Sequence, residues 1–460
     1  MAVIRSIDPS TGAELATFEE DSSEAVQRKI AAAAAAVHEL AAAGLTRRAV
    51  WMHSAADLLE SETDAIAAVI TGEMGKPIAQ SRAEIAKSVH TMRFYADNSQ
   101  MFLEGRELAD PTAVNASAAH TRYDPLGVVL AVMPWNYPIW QVVRFAAPAL
   151  MAGNAGLLKH ASNVPQSARY LDDLFTRAGF PEGSFATLLI GSGRVADVIR
   201  HPRVAAVTLT GSEGAGRSIA AAAGDVLKKA VLELGGSDPF IVMPSADLDA
   251  AVEIAVKART TNNGQACINA KRFIVHTAIY DEFARMFAER MGALVIGDPA
   301  DADTQIGPLA TENGRREIEE LVEDARAKGA EVLVGGSRPE STAGWYYEPT
   351  VVAGLTPKMR LWSEEAFGPV ASLYRVGSLE EGLEIANGSD FGLGSAFWSN
   401  DGDEIERAVR EIEAGAVFVN GMTISYAELP FGGVKRSGYG RELSMEGIRE
   451  FCNLKTVWVA

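Results

Sequence analysis

Two residues of this sequence have the types needed for covalent catalysis. Cys267 ends the polar segment 261–267, and Glu233 begins the Glu-Leu-Gly-Gly run 233–236. A thiolate can attack a carbonyl carbon, and a carboxylate can later take a proton from water. The ordinary alternatives are an inert buried cysteine and a surface carboxylate, which are the common environments of these residue types. Covalent chemistry therefore requires a fold that brings both residues to one site.

The composition limits the classes of function. The chain has 460 residues, of which 48% are apolar and 22% charged, as expected for a globular protein with two large domains. Its formal charge of −18 argues against a nucleic-acid or anionic-membrane partner. The only cysteines are Cys267 and Cys452, so a disulfide framework is not expected. Because no apolar leader or membrane span is visible, we expect a cytoplasmic protein.

Apolar runs alternate with helical patterns along the first half of the chain. Helical periodicity covers 24–43 and 46–72, and strands are predicted at 127–133, 155–159, 186–190 and 204–209, with helices between these strands. Continuous apolar runs indicate a buried parallel sheet. This layout is doubly wound, and such folds bind ligands beyond the carboxyl ends of the strands.

A second alternation follows the Glu-Leu-Gly-Gly run. The patterns predict a hinge between two domains near residue 234, and the elements after it are a strand at 238–243, a helix at 247–264, a strand at 271–276 and a helix at 279–293. The sequence thus predicts two α/β domains joined beside Glu233.

Two glycine-rich segments are candidates for a phosphate site. Segment 191–196 follows a predicted strand, but no strand ending in an acid follows it as the dinucleotide motif requires. Segment 210–216 also follows a strand and opens a helix, where free amides and a Ser212 cap would suit a pyrophosphate. Either segment alone is equally consistent with a simple turn.

Seven motifs together resemble the aldehyde dehydrogenase superfamily. In the order of that family, they are Met-Pro-Trp-Asn-Tyr-Pro at 133–138, Lys159, Leu-Thr-Gly-Ser at 209–212, Glu-Leu-Gly-Gly at 233–236, Gly-Gln-Ala-Cys at 264–267, Glu-Glu-Ala-Phe-Gly-Pro at 364–369 and the long motif at 430–442. They cover most of the chain. Segment 158–165 and the short length resemble the bacterial succinate-semialdehyde dehydrogenase subgroup, and hence imply a role in GABA degradation.

The resemblance implies an α/β, aldehyde dehydrogenase-like fold. It has a Rossmann-type cofactor domain at 1–109 and 127–233, an α/β catalytic domain at 234–433, and a small bridging or oligomerisation element at 110–126 and 446–460. It also implies a homodimer or homotetramer. The terminal run 453–459 has strand character and an edge that could pair with another chain.

The same resemblance assigns catalytic roles. Cys267 is the nucleophile, acting as a thiolate because the thiol form is mostly unreactive. Asn136 and the Cys267 backbone amide hold the oxyanion, a role that suits an amide donor. Collapse of the thiohemiacetal sends hydride to the nicotinamide and leaves a thioester, whose hydrolysis Glu233 assists as the base. Asn136 could instead be an ordinary turn residue, and Cys452 is assigned to the core.

For the cofactor, the sequence favours NADP, with NAD as a weaker possibility. Lys159 ends a predicted strand, and Ser162 stands where this superfamily often has a glutamate that repels a 2′-phosphate. The alternative is a solvated lysine. The expected cofactor-binding residues are Trp135, Lys159, Ser162, Gly211, Ser212, Leu234, Glu365 and Phe367, of which Ser212 would contact the pyrophosphate, Glu365 the nicotinamide ribose and Phe367 the ring. No metal-ligand spacing is visible, so no metal is expected.

Substrate choice is predicted from the helical segment after Pro138. Spacings of four place Trp140 and Arg144 on one face, with Arg144 among apolar residues where an unpaired charge is costly. A substrate carboxylate is one partner for this arginine, and an acidic side chain of the protein is the other. Ser425 could add a hydroxyl, and Trp140 would limit the width of the tunnel.

These residues favour a small carboxylated aldehyde as partner. Succinate semialdehyde is the first candidate and glutarate semialdehyde the second, while a neutral aldehyde remains the serious alternative. A CoA-acylating enzyme would not need Glu233, and a non-catalytic binding protein would need neither Glu233 nor Cys267. Both residues are present, which argues against these two readings.

Overall fold

The computed structural model describes residues 3–340 and 343–460 of the chain. Helices and strands are numbered separately, each in chain order. The helices are α1 (Ser23–Ser61), α2 (Thr63–Met74), α3 (Ile78–Phe102), α4 (Trp140–Ala152), α5 (Pro165–Arg177), α6 (Val195–Arg200), α7 (Glu213–Asp225), α8 (Leu248–Thr260), α9 (Tyr280–Gly292), α10 (Glu312–Ala327), α11 (Arg360–Ser363), α12 (Leu379–Asn387), α13 (Gly402–Glu411) and α14 (Ser444–Glu450).

The strands are distributed along the whole chain. They are β1 (Val3–Ile7), β2 (Glu14–Glu19), β3 (Ala118–Pro125), β4 (Val128–Met133), β5 (Ala155–His160), β6 (Phe185–Thr187), β7 (Val204–Thr210), β8 (Lys229–Glu233), β9 (Asp238–Val242), β10 (Ala270–His276), β11 (Glu331–Val334), β12 (Thr350–Ala353), β13 (Val370–Val376), β14 (Phe391–Gly392), β15 (Ala396–Trp398), β16 (Phe418–Val419), β17 (Val434–Lys435), β18 (Gly438–Tyr439) and β19 (Cys452–Val459).

The first large sheet contains the strands predicted before Glu233. Its order is β18-β8-β7-β4-β5-β6, and all neighbours are parallel except the β18–β8 pair. The strand predicted at 186–190 is shorter than expected, because β6 ends at Thr187. Beyond it, the Leu189 carbonyl accepts from the Asp21 amide, and the Leu189 amide donates to the Asp21 carboxylate. The predicted buried parallel sheet is confirmed, and the carboxyl ends of its strands form one edge.

The second large sheet follows in the chain. Its order is β11-β12-β13-β10-β9-β15-β16, and only the β11–β12 pair is antiparallel. The helix predicted at 247–264 ends earlier, at Thr260, because Asn262 and Asn263 adopt left-handed φ values of 60° and 55°. Segment 234–237 links the two sheets, since β8 ends at Glu233 and β9 begins at Asp238.

Helices α1, α2 and α3 pack beside the first sheet, and α1 contacts β4, β5 and β6 directly. The predicted helices 24–43 and 46–72 are joined across Gly44, which has a φ of 71°, and the second is interrupted at Glu62 between α1 and α2. Helix α3 had no predicted counterpart. Apolar residues of these helices share one core with β4, β5 and β7, so α3 lies against α4 beside the carboxyl edge of the sheet.

Strands β3 and β19 form a separate antiparallel ribbon. Trp458 and Leu454 on this ribbon are 51% and 56% exposed. A large exposed apolar surface is typical of an interface, so the bridging element and the homo-oligomer stay predictions with this ribbon as their basis. No helix in residues 3–340 and 343–460 is long and apolar enough to cross a membrane.

Asn154 offers a test of how the core is anchored to the C-terminal segment. Its buried side chain accepts a hydrogen bond from the Gly127 amide at 2.9 Å and donates one to the Phe451 carbonyl at 3.0 Å. Asn154→Ala leaves both backbone groups without this partner, so we expect the free energy of unfolding to fall by about 2–3 kcal/mol in urea titrations followed by circular dichroism.

The matched control for this experiment is Asn400→Ala. Asn400 is exposed, and its side chain donates to the Ser245 carbonyl at 2.8 Å. We expect this variant to change the unfolding free energy by less than about 0.5 kcal/mol. Equal losses in the two variants would contradict the anchoring role of Asn154.

Candidate active site

Cys267 lies in the turn between α8 and β10. The turn is held from several sides: Asn263 donates to the carbonyls of Gly75 and Pro308, each at 2.9 Å, and the fully buried Arg259 donates to the carbonyl of Gly264 at 2.5 Å. Because these anchors belong to different parts of the chain, the position of Cys267 is fixed by tertiary structure rather than by its own helix.

The Cys267 side chain is partly accessible from a cavity of about 670 Å³. Burial raises the pKa of its thiol to about 12, and Lys271 and Arg144 oppose that rise with their positive charges. Lys271 Nζ also donates to the Cys267 carbonyl at 2.6 Å. In this arrangement the thiol is protonated at neutral pH, so attack on an electrophile requires that the proton leave.

Asn136 is brought to the same turn from the loop after β4. Its side-chain amide donates to the Gln265 carbonyl at 3.0 Å, and Asn262 in turn donates to the Asn136 carbonyl at 2.9 Å. Asn136 is buried. The predicted oxyanion donor and the predicted nucleophile therefore belong to one hydrogen-bonded unit.

Glu233 ends β8 at the carboxyl edge of the first sheet. It is only 1% exposed, and within the described residues neither carboxylate oxygen has a hydrogen-bond partner. Burial raises the pKa of Glu233 well above its ordinary value, and the nearby Glu442 raises it further. Such a carboxyl group is protonated over a wide pH range and is a strong base once ionised.

The chain places Glu233 close to Cys267 by a tight approach of backbones. A Cβ atom on Gly236 would lie 2.6 Å from the Cys267 carbonyl oxygen, so this position has no room for a larger residue. The glycine run after Glu233 thus lets the linker between the sheets pass against the Cys267 turn. Glu233 is near enough to Cys267 for its charge to raise the pKa of the thiol, and the catalytic roles of the two residues stay predictions.

Arg144 has a protein partner. Its Nε forms an ion pair with Glu442, its Nη2 donates to Thr210 Oγ1 at 3.0 Å, and both charged residues are almost fully buried. This is the acidic-partner alternative that the sequence left open, and it reflects the high cost of burying an unpaired guanidinium. Arg144 nevertheless lines the cavity, so a contact with substrate remains a proposal.

The other predicted substrate residues also line the cavity that contains Cys267. Trp140 begins α4 and is buried, and Ser425 lies in the loop before Pro430. Ser425 Oγ accepts a hydrogen bond from Lys87 Nζ at 2.7 Å, and that ammonium lies 4.3 Å from the centre of the Trp140 ring. Lys87 therefore joins two of the predicted residues.

Helix α3 supplies cavity residues that the sequence analysis missed. Glu84 pairs with the fully buried Lys76 and accepts from the Ile139 and Trp140 amides at 2.8 and 2.9 Å, which caps the start of α4. Glu84 and Lys87 are three residues apart and hence share a helix face. This pair of charged residues on one helix face was the sequence signal that could have identified them as cavity residues.

Several of the expected cofactor residues lie along the carboxyl edge of the first sheet. Ser212 caps α7 by accepting from the Ala215 amide at 3.4 Å, and the Gly211 amide donates to the Glu233 carbonyl at 2.9 Å. Lys159 is the penultimate residue of β5 and is 9% exposed, and in the described part of the chain it forms no ion pair, while Ser162 is exposed. A helix N-terminus and an unpaired ammonium are suitable partners for phosphate groups.

The remaining cofactor candidates lie between the two sheets. Trp135 and Phe367 form an edge-to-face pair with ring centres 5.7 Å apart. Glu365 accepts from Lys271 Nζ at 3.0 Å and from the Gly236 amide at 3.2 Å, and Leu234 is buried beside the start of α7. These residues fit an extended dinucleotide running from Lys159 towards Cys267. Among the described residues, no group of three or more potential ligands could hold a metal ion.

Comparisons with known proteins agree with this geometry. The chain is 58% identical over 457 residues to succinate-semialdehyde dehydrogenase (NADP(+)) 1 of Mycobacterium ulcerans, covering 99% of both chains. It is 57% identical to the protein of the same name in Mycobacterium tuberculosis, covering 99% of this chain and 100% of the relative.

The crystal structure of succinic semialdehyde dehydrogenase from Streptococcus pyogenes in complex with NADP+ as the cofactor is also similar. It has a TM-score of 0.95 and 35% identity, with 99% of each chain covered. The model of the aldehyde dehydrogenase family matches residues 2–457. This chain belongs to the aldehyde dehydrogenase family.

Proposed function

We propose that this protein oxidises succinate semialdehyde to succinate with NADP, and thereby acts in GABA degradation. The observation that carries the proposal is the position of Cys267 in the wall of a cavity with cationic side chains, with Asn136 hydrogen-bonded to the Cys267 turn and the segment after Glu233 packed against that turn. The names of the most similar relatives support the same substrate and cofactor. Glutarate semialdehyde and neutral aldehydes are the alternative substrates.

The first step is attack of the Cys267 thiolate on the aldehyde carbon. The carbonyl oxygen gains negative charge as the C–S bond forms, and the Asn136 amide with the Cys267 backbone amide stabilises that charge. Asn136 is held to the nucleophile turn by its bond to Gln265, so the donor is in place before the substrate arrives. NADP held by residues such as Lys159 and Ser212 would supply the hydride acceptor for the substrate carbon, which would leave a thioester on Cys267.

The second step is hydrolysis of that thioester, for which Glu233 is the base. A buried carboxylate without hydrogen-bond partners has a high affinity for the proton of a water molecule. Because Gly236 has no side chain, the segment after Glu233 can pack closely against the Cys267 turn. Water attack then releases the acid and restores the thiol.

The cavity wall selects a small, negatively charged aldehyde in this proposal. Arg144 contributes positive potential even though its Nε is paired with Glu442, Ser425 supplies a hydroxyl, and Trp140 limits the width. We also keep the domain boundaries predicted from the sequence, and a homodimer or homotetramer built on the ribbon of β3 and β19.

Initial rates of NADPH formation test the proposed reaction. With saturating NADP, we expect kcat/KM for succinate semialdehyde to exceed that for butanal by about 100-fold or more, because only the former carries a carboxylate. Cys267→Ala should abolish both reactions while NADP binding, measured by fluorescence titration, is retained. Equal rates with both aldehydes would contradict the substrate, and residual turnover in Cys267→Ala would contradict the mechanism.

Glu233→Gln tests the base. We expect a rapid first turnover of NADPH followed by steady-state turnover slowed about 10²- to 10⁴-fold, because only hydrolysis needs the carboxylate. In the wild type, hydrolysis should speed up as pH rises through the elevated pKa of Glu233, since the ionised form is the base, and the variant should lose this pH dependence. The control is Glu446→Gln, an exposed position. Loss of the rapid first turnover would contradict a role confined to hydrolysis.

Ser162→Glu tests the cofactor. A carboxylate near Lys159 would pair with its ammonium and repel a 2′-phosphate, so KM for NADP should rise by about 10-fold or more while KM for NAD stays the same or falls. The measurement is the ratio of kcat/KM values for the two cofactors. An unchanged ratio would show that the 2′-phosphate does not bind beside Ser162.

A further inference from the structure

Deep in the wall of the cavity beside Cys267 lies a half-buried ammonium group, that of Lys87, which has no acidic partner among the described residues. Two other buried cations at this end of the protein are neutralised, Lys76 by Glu84 and Arg144 by Glu442. Lys87 differs, because within residues 3–340 and 343–460 no carboxylate forms an ion pair with it, although it lies in the cavity wall. The positive charge of Lys87 is therefore not neutralised by the described residues, and it lies where the substrate is expected.

The contacts of Lys87 leave some donor hydrogens of its ammonium group available. An ammonium has three donor hydrogens, and the Ser425 hydroxyl takes one of them at 2.7 Å. The Trp140 ring, centred 4.3 Å from Nζ, stabilises the positive charge but offers no lone pair. An anion in the cavity could accept from Lys87 and from the Ser425 hydroxyl together.

Glu84 is the carboxylate on the same helix face, and both of its oxygens already have partners. One of its oxygens pairs with Lys76, and the other accepts the backbone amides of Ile139 and Trp140. Turning Glu84 towards Lys87 would uncap α4 and leave the buried Lys76 unpaired, which is costly. The protein therefore does not supply the missing counter-charge.

We propose that Lys87, together with Ser425, binds the carboxylate of the aldehyde substrate and is the specificity-determining cation of the cavity. Arg144, whose Nε is engaged by Glu442, adds positive potential to the wall, and Lys87 adds the cation that has no acidic partner among the described residues. This inference rests on the proposed function, because it assumes a substrate with a carboxylate at the end remote from the aldehyde.

The electrostatic environment of Lys87 agrees with such a site. Burial lowers the pKa of this lysine to about 7, and the charge of Arg144 lowers it further, while Glu84 and Cys267 act in the opposite direction. The other charged residues in the cavity wall are exposed and lie near its mouth; they are Glu253, Lys257 and Asp303. A bound carboxylate favours the charged ammonium and so returns the pKa of Lys87 towards its ordinary value.

The test compares succinate semialdehyde with butanal in the NADP-loaded enzyme. In Lys87→Met, which keeps the length of the side chain but not its charge, we expect KM for succinate semialdehyde to rise about 10- to 100-fold with kcat changed by less than about threefold. Kinetic constants for butanal should stay at wild-type values, which also shows that the variant is folded. Lys87→Arg should recover most of the affinity.

Lys257→Met is the matched control, because it removes a lysine from the exposed mouth of the same cavity. Its KM for succinate semialdehyde should change by less than about threefold, since exposed charges are screened. A comparable rise in KM in Lys257→Met would show that general attraction, rather than contact with Lys87, selects the substrate, and would overturn the inference.

The pH dependence gives a second readout. Wild-type KM for succinate semialdehyde should rise above pH 7 as Lys87 loses its proton, and this rise should be absent in Lys87→Arg and for butanal. A flat wild-type profile would overturn the assignment.

The outcomes separate the two proposals. If the wild type does not prefer succinate semialdehyde over butanal, the proposed function fails, and this inference fails with it. If the wild type has the preference and Lys87→Met keeps it, only the inference on Lys87 is overturned. Equal losses for both aldehydes in Lys87→Met would instead mean that Lys87 acts on Cys267.

Discussion

Neutralisation of the buried Lys76 by Glu84 of α3 is the constraint on which the site depends. Glu84 holds the buried Lys76 and, with its other oxygen, caps the first turn of α4. The start of α4 fixes where Trp140 lies, and the preceding loop fixes Asn136. Loss of either charge would leave the other unpaired in an apolar interior, so this pair ties the stability of the fold to the geometry of catalysis.

Much of this architecture could be predicted from local sequence, because buried parallel strands have continuous apolar runs. Strand β4 follows that rule closely. The helix predicted to reach Gly264 instead ends at Thr260, since Asn262 and Asn263 are left-handed and the Asn263 side chain donates to distant carbonyls at Gly75 and Pro308. Periodicity cannot detect such a break, because the groups that stabilise it lie far away along the chain.

The candidate site, like the fold, combines residues that the sequence predicts with residues that it does not. Cys267 and Glu233 stand in motifs that the family resemblance makes visible, whereas the partner of Arg144 is Glu442, far along the chain and on no shared periodic element. An arginine among apolar residues needs an anion, and Arg144 has one in Glu442, but sequence alone could not decide which anion. Lys87 was missed because a single lysine on a helix is ordinarily solvated, and only the packing of α3 against α4 buries it.

Burial also affects when Cys267 and Glu233 ionise during the two chemical steps. Cys267 and Glu233 both have raised pKa values, and the charge of Glu233 raises the pKa of the thiol further. Two negative charges in this small volume repel each other, so ionisation of one group disfavours ionisation of the other. In the proposed reaction the thiolate charge disappears when the thioester forms. The repulsion then ends, and Glu233 can ionise at the stage where its carboxylate is needed as the base.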